Sequence, residues 1–101
     1  MIGASRPLPR NEIEQFCLRN HIRKLSLFGS VLTPRFGPES DIDILVEFDP
    51  EKIPTLFDVV GMEQELTQKL GRSVDLRTPG DLSRYFRDQV VSTAALQYER
   101  A

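Results

Sequence analysis

The run Asp41-Ile42-Asp43-Ile44-Leu45-Val46-Glu47-Phe48 constrains the fold more than any other stretch of this 101-residue chain. Its alternation predicts a strand over 41–48, with Ile42, Ile44, Val46 and Phe48 on one face. Asp41 and Asp43 then share the opposite face. Two carboxylates side by side at the head of a core strand repel each other and are costly unless something neutralises them. A divalent cation does so best, and Mg²⁺ favours carboxylate oxygen together with substrate phosphate.

The other bounds are broad. The length suits one domain with one core. Charged residues make up 28% of the chain and the net charge is −2, which argues against a general nucleic-acid surface. Direct nucleic-acid binding is not expected. A single cysteine, Cys17, excludes an intrachain disulfide and gives no zinc pattern. No apolar run approaches membrane-spanning length, and the first residues have no apolar signal core. The expected compartment is the cytoplasm, with no membrane association.

Residues 1–9 carry Gly3, Pro7 and Pro9 and read as a flexible arm, leaving 10–101 as the domain. A helix is predicted over 10–20, with Asn11 as N-cap and Ile13, Phe16 and Cys17 on one stripe. Cys17 reads as a small core residue and His21 as a surface or capping one. A first strand spans 23–28. Gly29-Ser30 then opens a turn or short helix. The Val31–Ser40 connector holds Pro34, Gly37 and Pro38 and cannot be one helix. Thr55 and Asp58 form a capping box for a helix over 56–70, which Gly71 ends. That helix is predicted to bury Leu56, Val59, Val60, Leu66 and Leu70, with Glu63 and Glu65 facing solvent. In a third strand over 72–77, Val74 and Leu76 face the core, so Ser73, Asp75 and Arg77 face away. Asp81 is expected to cap a helix running to about Gln89, with Leu82, Tyr85, Phe86 and Val90 on its stripe. Residues 90–98 are ambiguous between helix and strand. The predicted fold is a small α/β sandwich, with a mixed sheet, helices on one face and the carboxylate face open.

If the second and third strands are neighbours, Asp41, Asp43 and Asp75 gather on one face beside Gly29-Ser30. A glycine-hydroxyl turn is a common way to hold phosphate, although Gly-Ser alone is usually only a turn. Three acids beside such a turn suggest two-metal phosphoryl or nucleotidyl transfer, in which two ions clamp the attacking and leaving oxygens. The glycine-rich loop of P-loop enzymes is absent from the sequence. Ser40, at the head of the strand, is an added candidate for nucleotide contact. So is Arg35, for which a solvated loop arginine is the alternative.

Leu27-Phe28-Gly29-Ser30, ten residues, then Asp41-Ile42-Asp43 resembles the signature of the DNA polymerase β-like nucleotidyltransferases. The short chain, Ser40-Asp41-Ile42-Asp43-Ile44-Leu45-Val46, Val74-Asp75-Leu76 and Tyr98-Glu99-Arg100 resemble the minimal nucleotidyltransferase (MNT) family, over about residues 10–100. The resemblance implies a polymerase β-like palm. It implies that Gly29 and Ser30 hold the triphosphate of ATP, and that Asp41, Asp43 and Asp75 are catalytic and bind Mg²⁺, taken as two ions. Many relatives carry an arginine, often followed by glycine, soon after Gly-Ser. This chain instead has Thr33-Pro34-Arg35, which departs from the pattern in the phosphate loop but not at the metal site.

The resemblance also implies a partner. Many MNT proteins are antitoxins of HEPN-type toxins, and known cases transfer AMP to a toxin tyrosine. A hetero-oligomer with such a toxin is expected. A non-catalytic antitoxin that acts by binding is a second reading. A small-molecule nucleotidyltransferase is a third, weighed down by the lack of an acceptor domain in the sequence.

Overall fold

A computed structural model describes residues 9–34, 37 and 40–100. Its elements are helix α1 (Arg10–Arg19), strand β1 (Ile22–Phe28), a 3₁₀ turn (Gly29–Leu32), β2 (Ile42–Phe48), α2 (Leu56–Leu70), β3 (Val74–Arg77), a second 3₁₀ turn (Pro79–Asp81), α3 (Arg87–Thr93) and β4 (Ala95–Glu99). The sheet order is β3-β2-β1-β4. β3 runs parallel to β2, and β1 is antiparallel to both β2 and β4. The mixed α/β sheet is therefore as predicted, and the ambiguous tail contains both alternatives, a short helix and then an edge strand. The arm expected at 1–9 lies outside the described residues except for Pro9, and so does Arg35.

The core joins Ile13, Phe16 and Cys17 of α1 and Met62 and Leu66 of α2 to the apolar face of the sheet. Burial pushes the Cys17 thiol up to about 12, in keeping with a packing role rather than a nucleophile's. Pro9, not Asn11, stands at the N-cap of α1, and its carbonyl accepts the Ile13 N–H at 3.0 Å. Exposed His21 takes a left-handed conformation, φ 57°, at the exit. Its carbonyl accepts the Asp49 N–H. The register between β1 and β2 then slips by one residue between Ile22 and Lys24. This bulge lets Ile22 and Leu25, three apart, both face the core. Among the described residues, no helix is long and apolar enough to cross a membrane.

Helix α2 has its predicted ends. Thr55 and Asp58 exchange reciprocal bonds at 2.9 and 3.2 Å, and Gly71 closes the helix at φ 70°. Its burial differs from the prediction. Val59 and Leu70 only border the core, while Leu56 and Val60 are exposed, Leu56 at 78%. The cause is the length of the strand beneath. Thr67 accepts the N–H of Val74 at 3.1 Å, and Glu63 accepts that of Leu76 at 2.8 Å. β3 then ends at Arg77, so the first turn of α2 runs past the strand. Glu63 is thus not a solvent-facing acid but a partner for an edge-strand N–H. Glu65 pairs with Arg19.

The helix expected from Asp81 also differs. The Asp81 carboxylate accepts the N–H and hydroxyl of Thr78, both at 3.1 Å, so it is the acid of a turn opened by Thr78. Ser83 Oγ then takes the Tyr85 N–H, a local bond that competes with helix. Tyr85 is 85% exposed and α3 begins only at Arg87. The carboxylate face is open only in part, because Ser26 and Leu45 are buried on it.

The α2 cap gives a direct test. Thr55→Ala should lower the unfolding free energy by about 1 kcal/mol in a urea titration, with the slope unchanged.

Candidate active site

The β2–β3 pairing sets Asp43 directly opposite Asp75, with Ile42 opposite Val74 and Ile44 opposite Leu76. Since Ile42, Ile44, Val74 and Leu76 are in the core, both aspartates project from the other face. Asp41, exposed, immediately precedes β2. Of the predicted trio, Asp43 and Asp75 are therefore brought together on one face, with Asp41 just before the head of β2.

The same ladder brings in Gly29. Phe28 pairs with Asp43, so the chain turns at Gly29 beside that carboxylate. Gly29 has φ 77°, and a Cβ there would overlap Asp43 Oδ2. Only glycine meets both conditions. Ser30 follows, half-buried, in the Gly29–Leu32 turn that Val31 anchors in the core. The Ser30 carbonyl accepts both the N–H and the hydroxyl of Thr33, at 2.9 and 2.8 Å. Thr33, in sequence only a departure from the family pattern, closes the turn.

Charge is unevenly balanced here. Burial raises the pKa of Asp43, repulsion from Asp75 and Asp41 adds to the rise, and Arg77 opposes it. Arg77 Nε lies 3.1 Å from Asp75 Oδ2. Sequence alternation had placed Arg77 on this face without assigning it a role. Among the described residues, no three acids, histidines or cysteines are gathered closely enough to hold a metal ion. The donors fit Mg²⁺ by chemistry, being carboxylate oxygens on one face whose mutual repulsion a cation would relieve.

Ser40 is engaged locally. Its Oγ accepts the Gly37 N–H at 3.0 Å, and its own N–H bonds the Gly37 carbonyl at 3.1 Å. Arg72, which sequence reasoning missed, donates to the carbonyls of Gly37 and Ser40 at 2.7 and 3.0 Å. Nothing in the residue pattern marks such long-range bonds to carbonyls.

Two outcomes follow from this geometry. Gly29→Ala should destabilise the protein by about 1–3 kcal/mol, measured by urea unfolding. Asp43, with its folded pKa raised, contributes stability while protonated and loses it as pH rises through that value. Asp43→Asn should therefore be more stable than the parent in metal-free buffer at neutral pH. The gain should vanish near pH 3, where aspartates are mostly protonated.

Comparison with known proteins bears on the family and the fold. Residues 10–97 match the family described as nucleotidyltransferase domain. A relative in Methanocaldococcus jannaschii, named "Putative protein adenylyltransferase MJ0435", is 33% identical over 85 residues, covering 84% of this chain and 89% of that protein. The fold superposes with a TM-score of 0.74 on a chain from a crystal structure of a toxin–antitoxin with AMP-PNP, at 25% identity, covering 92% of this chain and 75% of the other. It superposes at 0.65, again with 25% identity, on a chain from the tri-AMPylated Shewanella oneidensis HEPN toxin in complex with MNT antitoxin, covering 90% and 70%. The matched span takes in the glycine-serine turn, Asp41 and the facing pair Asp43 and Asp75, and the chain belongs to the nucleotidyltransferase domain family.

Proposed function

We propose that this protein transfers AMP from ATP to a tyrosine hydroxyl of a HEPN-type toxin and thereby acts as its antitoxin. The observation that carries the reading is the facing pair Asp43 and Asp75, with the Gly29 turn set against Asp43. The adenylyltransferase name of the Methanocaldococcus jannaschii relative and the AMPylated toxin in the Shewanella oneidensis complex support the choice of group and acceptor.

Asp41, Asp43 and Asp75 would hold Mg²⁺, two ions in this reading, which when bound offset phosphate charge and lower the pKa of an acceptor hydroxyl. The backbone N–H groups at Gly29 and Ser30 and the Ser30 hydroxyl bind the triphosphate. The acceptor oxygen approaches on the Asp75 side and forms a bond to the α-phosphorus. The bond to the β-phosphate bridge oxygen breaks, pyrophosphate leaves, and the hydroxyl proton passes to solvent. Arg77 restrains the Asp75 carboxylate until the substrates arrive.

That same Arg77–Asp75 pair is the observation that favours a second reading, in which the protein silences its partner by binding alone. Intact-mass spectrometry of a co-expressed HEPN partner separates the two. AMP-sized additions should appear with the parent protein and vanish with Asp41→Asn or Asp43→Asn. A partner left unmodified yet still neutralised by Asp41→Asn would establish the binding reading instead. Ser30→Ala should slow transfer only about 5- to 30-fold, about 1–2 kcal/mol, the scale of losing a single hydrogen bond.

A further inference from the structure

We infer that Arg72 is a positioning residue for the carboxylate site, acting through Asp41. The inference rests on the nucleotidyltransferase reading above. Arg72 sits between Gly71, which ends α2, and β3, which carries Asp75. Its guanidinium reaches back to the carbonyls of Gly37 and Ser40, 35 and 32 residues earlier. On the far side of Asp41, the Ile42 N–H donates to the Ser73 carbonyl at 2.8 Å. Asp41 is therefore flanked by two ties to one short segment, Ser40 to Arg72 and Ile42 to Ser73.

Those ties matter because Asp41 differs from its companions. Asp43 and Asp75 are fixed by the ladder that pairs them, whereas Asp41 precedes the first residue of β2 and is exposed. The connector before it contains Pro34, Gly37 and Pro38, and of its described residues Thr33, Pro34, Gly37 and Ser40 lie in no strand. The two carbonyls are taken by two different nitrogens of the guanidinium, Nη1 on Ser40 and Nη2 on Gly37. Guanidinium supplies them in a rigid fork, and an ammonium does not. Arg72 thus sets where Asp41 stands relative to the Asp43–Asp75 pair without itself contacting substrate.

The test uses the full chain with Arg72→Lys and Arg72→Ala, and Mn²⁺ as the probe ion. Electron paramagnetic resonance should show Mn²⁺ bound about 10–100-fold more weakly by Arg72→Ala, the usual scale for a residue that orients a metal ligand. Arg72→Lys should fall between. Hydrogen exchange at 40–43 should quicken while that of α1 and β1 stays as in the parent. The Mn²⁺ concentration for half-maximal AMP transfer should rise in step with the binding loss. Parent-like Mn²⁺ affinity and parent-like exchange in both variants would overturn the inference. If Arg72→Ala does not fold, Arg72→Lys decides by the same two measurements. A parent that binds Mn²⁺ but transfers no AMP would sink the proposed activity alone, leaving the role of Arg72 to be judged by binding and exchange.

Discussion

Parallel pairing of β2 with β3 is the interaction on which the site depends. It places Asp43 and Asp75 opposite each other, and the same register sets their apolar neighbours into the core. The hydrophobic gain from Ile42, Ile44, Val74 and Leu76 therefore enforces a contact that electrostatics opposes. A one-residue slip would relieve the repulsion but would turn every core side chain of β3 to the wrong face. Burial thus holds the acids together, and Arg77 offsets only part of the strain.

The glycine turn shows how tightly the parts are coupled. β1 and β2 are antiparallel, so the end of β1 meets the head of β2. The Gly29–Leu32 turn and the carboxylates must then share one corner of the sheet. Val31 seals that corner from below, and Thr33 closes the turn from within. Space at the corner is limited enough that one methyl group on Gly29 would collide with Asp43.

Much of this was legible in the sequence because it is written in short periods. Alternation placed Asp43 and Asp75 on one face, as the ladder has them, and the Thr55–Asp58 spacing fixed the start of α2. What escaped depends on distances across the chain. The stripe Leu56, Val59, Val60 assumes a platform as long as the helix, and β3 is too short to supply it. Glu63 looked like a surface acid because nothing local shows that an edge-strand N–H lies opposite. Asp81 looked like a cap, and the preceding Thr78 had already claimed its carboxylate. Arg72 and Thr33 act by donating to backbone carbonyls, which every residue possesses, so no residue pattern records them. Arg35, a sequence candidate for nucleotide contact, lies outside the described residues.

One detail of α2 reaches beyond the site. β3 is an edge strand, and its outward N–H groups at Val74 and Leu76 are taken by the side chains of Thr67 and Glu63. An incoming strand would find those donors already spent, and it would have to displace a carboxylate to reach one of them. The sheet is thereby closed at this edge to growth by strand addition, the route through which exposed edges seed aggregation. A helix that covers one face of the sheet also keeps neighbouring molecules from extending it.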